Sequence, residues 1–126
     1  MPLRDYVANL QALIAATPFV TATSFSYEER PPSAGLIKGN ILFVDNSQLD
    51  FKGFLIFQPT VQVIKYAYNY RKGDHPIFRY DNANDPAARN LSSFPVHKHV
   101  GSDILATKKP SFEMVLKEIV SQPKFP

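Results

Sequence analysis

The sequence contains no cysteine, which excludes disulfides and thiolate metal centres and is compatible with a reducing compartment. It has no tryptophan, so its aromatic content is ten Phe and six Tyr. No apolar run approaches the roughly 20 residues that a membrane-spanning helix needs, and a stretch such as Leu10–Ala16 falls far short. The N-terminal Met1-Pro2-Leu3-Arg4-Asp5 sets an acid beside its base, with no signal-peptide core behind it. Internal repeats and low-complexity tracts are lacking too. These absences predict a soluble, cytoplasmic protein with no membrane partner.

What is present is globular. Apolar residues are 44% and charged residues 20% of 126, which predicts one domain, residues 1–126. The net charge of +3 is unevenly placed. Residues 52–109 hold nine basic against four acidic side chains, whereas residues 1–51 hold three against five. A basic middle suits an anionic partner, RNA or an acidic protein, and a solvated lysine-rich face gives the same imbalance.

Leu3, Tyr6, Val7, Leu10, Leu13 and Ile14 recur at helical spacing over residues 2–16, begun by Pro2 and ended by Thr17-Pro18. From Val20 the period is two. An outer strand carrying Phe25 and Tyr27 stops at Pro31-Pro32. Ile37, Gly39, Ile41 and Phe43 then face a second alternation, Leu49, Phe51, Gly53, Leu55 and Phe57. A three-residue loop, Asp45-Asn46-Ser47, predicts Phe43 opposite Leu49, Ile41 opposite Phe51 and Gly39 opposite Gly53. Strands follow over 61–71, with Ile64, Tyr66, Tyr68 and Tyr70 on one face, and over 77–82. Residues 81–93 are turn-rich and predict a loop long enough to be functional or mobile. Phe94–Val100 predicts a short last strand, and Ser111 caps a final helix with Phe112, Val115, Leu116 and Ile119 as its apolar stripe. The fold class is α+β: an N-terminal helix, a curved antiparallel meander of five or six strands, and a C-terminal helix. Both helices are expected on one sheet face, leaving the other partly open.

Three clusters carry chemistry. Tyr68, Tyr70, Arg71 and Lys72 interleave rings and cations as single-stranded RNA binding requires, although tyrosines in a period-two strand serve a core equally well. Arg79 and Asp81 share a face two residues apart and suit an ion pair, while Asp81-Asn82 also suits an Asx turn. His97 and His99 flank Lys98 on one strand face. Two imidazoles beside a cation suit metal-free RNA cleavage, one as base, one as acid, with Arg79 on the phosphorane charge. Two rim histidines without a role fit the same pattern. A bare His-x-His pair without a carboxylate at local spacing is a weak metal signal, so no metal or other cofactor is expected. His75, at a hairpin tip, is expected to be solvated.

The run Tyr66–Tyr70, then Phe78-Arg79-Tyr80-Asp81-Asn82, Phe94-Pro95, His97-Lys98-His99-Val100-Gly101 and Pro110-Ser111-Phe112-Glu113, resembles the TumE-type toxin family of prokaryotic toxin–antitoxin pairs. Residues 35–51 resemble that family's central hairpin, with Asn46 where the family turn often has Gly. The segment from Asn84 to Ser93 is longer than in many relatives. The resemblance covers about residues 20–120 and implies a cytosolic toxin with a cognate antitoxin that carries a helix-turn-helix domain. The residues add a reaction: a metal-independent endoribonuclease with His97, His99, Arg79 and Asp81 as its catalytic set and Tyr68, Tyr70, Arg71, Lys72 and Lys98 on RNA. The competing readings are a non-catalytic module that blocks a target or only holds its antitoxin, and a metal-dependent hydrolase.

Overall fold

Alternating strands need one covered face, and two short helices can cover only one. The protein's structure, a computed structural model, describes residues 2–122. Strands β1 (Val20–Arg30), β2 (Ala34–Phe43), β3 (Ser47–Ile56), β4 (Gln62–Lys72), β5 (His75–Asp81), β6 (His97–Val100) and β7 (Asp103–Leu105) form one sheet in chain order, each antiparallel to the next. Helix α1 (Pro2–Ala15) precedes the sheet and α2 (Phe112–Val120) follows it. The sheet has seven strands rather than five or six. The extra strand, β7, lies beyond a turn at Gly101, whose φ of +59° suits glycine, and is too short to show an alternation.

The core is the expected one. Leu3, Val7, Leu10 and Ile14 of α1 and Phe112, Val115, Leu116 and Ile119 of α2 are buried with Ile37, Ile41, Phe43, Leu49, Phe51 and Leu55. Leu13 and Phe57 are half-buried against that cluster. Ser111 caps α2 by accepting the Met114 N–H at 3.1 Å.

The β2–β3 register differs from the expected one by two residues. Ile41 pairs with Leu49, Gly39 with Phe51 and Ile37 with Gly53. The reason lies in the turn. Asn46 has a φ of +67°, and a left-handed residue closes a three-residue hairpin loop, so the loop is Val44-Asp45-Asn46 and Ser47 already belongs to β3. An even slip preserves the faces, which is why the predicted core survives it. A second departure is Ile64. A bulge between Phe54 and Leu55 pairs Lys65 and Val63 with successive β3 residues, so Ile64 leaves the tyrosine face and is 39% exposed.

Gly39 permits a close approach: a Cβ there would lie 2.4 Å from Phe51 Cζ and 2.8 Å from the Ser24 carbonyl oxygen. Phe51 in turn meets Phe112 edge-on with ring centroids 4.9 Å apart. In urea denaturation, Phe51→Ala is expected to cost about 3–5 kcal/mol and Gly39→Ala about 1–3 kcal/mol by overpacking. A Gly39→Ala loss below about 0.5 kcal/mol would contradict the close approach.

Tyr66 yields a pH test. Burial, with the Asp81 charge adding to it, pushes its phenol up to about 12, and its buried hydroxyl has no hydrogen-bond partner among the described residues. The stability tied to this raised value is fully present below the ordinary 10.0 and is lost as pH rises through about 12. Tyr66→Phe is expected to hold or raise the thermal midpoint at pH 7 and to reduce the alkaline loss. An unchanged alkaline limb would remove Tyr66 from this account.

Candidate active site

The sheet register builds the site from residues far apart in sequence. Successive pairings place Ser26, Lys38, Lys52, Ala67, Asp81 and His97 in one row across β1 to β6. The next row is Ser24, Asn40, Asp50, Asn69, Arg79 and His99. Both rows lie on the face away from the helices. A groove of about 670 Å³ lies along the first row and reaches Arg79 of the second, lined by Lys38, Lys52, Lys65, Ala67, Arg79 and Asp81 among others.

At the β5–β6 end the expected catalytic set comes together. Asp81 is 4% exposed. Its Oδ2 accepts Arg79 Nε–H at 2.8 Å and its Oδ1 accepts the Ala83 N–H at 3.0 Å, so the ion pair and the Asx turn are both present. Burial pushes the Asp81 carboxyl up, but the Arg79 guanidinium, the Ala83 N–H and the His97 imidazole together hold it below the usual carboxylate range. His97 is 0% exposed. Its Nε2 lies 3.0 Å from Asp81 Oδ1, and its Nδ1 lies 2.6 Å from the Pro95 carbonyl oxygen. His99 is the accessible imidazole, its side chain 29% exposed, with Nε2 at 3.8 Å from Asp81 Oδ2 and 3.9 Å from Asp85 Oδ2. The two imidazoles stand edge-to-face, centroids 4.9 Å apart.

The expected RNA-binding set is not brought together. Tyr68 and Tyr70 are 6% and 1% exposed, on the helix-covered face, with Tyr70 donating its hydroxyl to Ser47 Oγ at 2.7 Å. Rings held in the core are closed to a stacking base, which corrects that expectation for both. Lys98 is corrected as well: it pairs with Tyr80 on the covered side, and its Nζ donates to Glu118 Oε2 at 2.7 Å above the Phe78 and Tyr80 rings. Burial pushes the Lys98 ammonium down, but the Glu118 carboxylate and Tyr80 hydroxyl hold it above its usual range. Arg71 does lie on the open face, where its Nε donates to Asp50 Oδ2 at 2.7 Å. Lys72 and His75 are exposed at the β4–β5 turn.

Sequence reasoning missed four contributors. Asn82 clamps the start of β4, donating to the Ile64 carbonyl at 2.8 Å and accepting the Tyr66 N–H at 3.2 Å. Asp85 caps the 3₁₀ turn Pro86–Ala88 with one oxygen and turns the other toward His99. The signal for Asp85 was in plain sight, since Asp followed by Pro is a helix-start pattern. Lys38 and Lys52 stand directly opposite each other, and neither forms an ion pair among the described residues. Their pairing was hidden by the two-residue register slip.

The fold and site therefore define a small α+β protein on a single antiparallel sheet, whose open face joins a cationic groove to a buried acid and two imidazoles. Residues 10–123 match the family model described as Toxin TumE, and the chain belongs to the TumE toxin family. It is a toxin component of a toxin–antitoxin system, with an antitoxin as its partner. No curated protein and no solved structure matches it. Among the described residues no helix is long and apolar enough to cross a membrane.

The two kinds of lysine separate by stability. Lys98→Met leaves the half-buried Glu118 carboxylate without its cation, although the Tyr80 hydroxyl still donates to it, and is expected to cost about 1–3 kcal/mol. Lys38→Gln relieves a like-charge pair and is expected to leave stability within about 0.5 kcal/mol or raise it. Equal losses at both positions would contradict this division of the two faces.

Proposed function

We propose that the toxin is an endoribonuclease that binds single-stranded RNA across the open sheet face and cleaves it beside Arg79 and His99. The observation that carries this reading is the unpaired Lys38–Lys52 pair in the same row as Asp81 and His97. Like charges directly opposite cost stability in a sheet, and an anionic ligand laid between them reverses that cost. Phosphates tracking along this row arrive at the Arg79–Asp81 pair.

The chemistry is transesterification. The 2′-oxygen attacks the adjacent phosphorus, the bond to the 5′-oxygen breaks, and the products are a 2′,3′-cyclic phosphate and a 5′-hydroxyl. His99 takes the 2′-hydroxyl proton, a water in the open groove protonates the departing 5′-oxygen, Arg79 stabilises the phosphorane charge, and Asp81 fixes both neighbours. His97 is assigned a positioning role rather than the second acid–base role, because a fully buried imidazole does not meet the substrate. The setting is the cytoplasm, and the antitoxin is proposed to be helix-turn-helix-containing and to cover the same basic face with an acidic segment.

Purified protein is incubated with total RNA, with divalent ions and without them, and the ends are mapped. Cleavage leaving cyclic phosphates is expected, with His99→Ala lowering the rate by about 10²–10⁴. Neutralising Lys38 and Lys52 together is expected to reduce the logarithmic salt slope of oligoribonucleotide binding by about 1.4, at about 0.7 per phosphate contact. Binding without cleavage under either condition overturns the nuclease reading in favour of a non-catalytic module.

A further inference from the structure

His97 poses a problem that hydrogen bonding does not solve. A carbonyl oxygen only accepts, so the 2.6 Å contact with the Pro95 carbonyl fixes the hydrogen on Nδ1. In the neutral ring Nε2 is then a bare lone pair. It is fully buried and has no hydrogen-bond partner among the described residues, although Asp81 Oδ1 lies 3.0 Å away, out of line for a bond. Two electron-rich atoms face each other in a site closed to bulk water, which is costly unless something positive lies between them.

The surroundings supply the remaining parts of a metal site. Nitrogen atoms of His97 and His99 and a carboxylate oxygen of Asp81 all lie within 4.8 Å of one another. Ligand atoms bound tetrahedrally at about 2.0–2.1 Å stand about 3.3 Å apart, so small side-chain adjustments bring all three onto one ion. Imidazoles that bind metals characteristically donate their other N–H to a backbone carbonyl, as His97 does to Pro95. The carboxylate missing from local sequence spacing is supplied across the β5–β6 pairing, where Asp81 stands opposite His97. Asp85, 3.9 Å from His99 Nε2, adds a second negative charge and can accept a proton from a water on the ion.

We infer that Asp81, His97 and His99 bind one divalent transition-metal ion of the zinc type, leaving a coordination position open toward the groove. Two imidazoles and one carboxylate are the donor set of open, catalytic zinc sites, whereas six oxygens suit magnesium. Such an ion would occupy the His99 lone pair and so take over the acid–base role given to His99 above, supplying a polarised phosphoryl oxygen or a bound water whose proton passes to Asp85. The catalytic meaning rests on the nuclease reading above; the binding itself does not. Arg79 opposes the ion by its charge and by occupying Asp81 Oδ2.

The test uses the full chain, stripped of metal by chelator and dialysis, with no RNA present. Zn²⁺ is titrated calorimetrically, with Mn²⁺ for comparison, and Co²⁺ serves as a visible-absorption probe of low-symmetry coordination. One Zn²⁺ per chain is expected, weakened at least tenfold in Asp81→Asn and in His99→Ala, each checked for folding by circular dichroism. Arg79→Gln is expected to bind Zn²⁺ several-fold more tightly, a gain that misfolding does not produce. No uptake of Zn²⁺, or equal uptake by the parent and both ligand variants, overturns the site and leaves an imidazolium–carboxylate pair in its place. RNA cleavage by protein that takes up no metal overturns this inference while sparing the nuclease; metal uptake without any cleavage does the reverse.

Discussion

One sheet, two short helices: the apolar surface available can cover a single face, and every other feature of the molecule follows from that limit. Away from the bulges side chains alternate along each strand, so each residue there is committed either to the core or to the open side. Ile41, Phe43, Leu49, Phe51 and Tyr70 are spent on stability beneath α1 and α2. Lys38, Lys52, Arg71, Arg79 and Asp81, one position out of phase, are left to meet a partner. Lys98 shows how strict the division is. It lies between two imidazoles in sequence, yet it points to the opposite face and closes on Glu118.

Within the open face Asp81 is the node. It receives Arg79 from its own strand and the Ala83 N–H from the following loop, and its Oδ1 stands 3.0 Å from His97 Nε2 of β6. These contacts tie the end of β5 to β6 and to the start of the 82–96 segment, which in turn carries Asp85 back over His99. A carboxylate held ionised in a nearly water-free position is a poor device for stability alone, because desolvation offsets much of what its partners contribute. It is well suited to fixing the position of a cation and two imidazoles around a reacting group.

Much of the fold was legible because its signals are local. Pro2, Thr17-Pro18 and Ser111 mark helix ends, and the apolar alternation from Ile37 to Phe57 fixes which residues share a face. Register was not legible to the same degree, because it hinged on Asn46 adopting a left-handed conformation, which alternation does not encode. The meeting of Arg79 and Asp81 with His97 and His99 was expected from the chemistry but required the β5–β6 pairing to be realised. The tyrosines of β4 looked like a stacking platform for the same reason they make a good core: a flat, period-two aromatic row serves either purpose. Only the position of the helices decides between them.

The central claim is that ligand recognition belongs to the helix-free face of the sheet. Its most direct test is a titration of ¹⁵N-labelled protein with a short 2′-O-methylated oligoribonucleotide, which binds without being cut, followed by backbone amide shifts. The account predicts the largest changes at Lys38, Lys52, Ala67, Arg79 and His99, with α1 and α2 unmoved. Changes confined to the helices, or no saturable change at all, would contradict it.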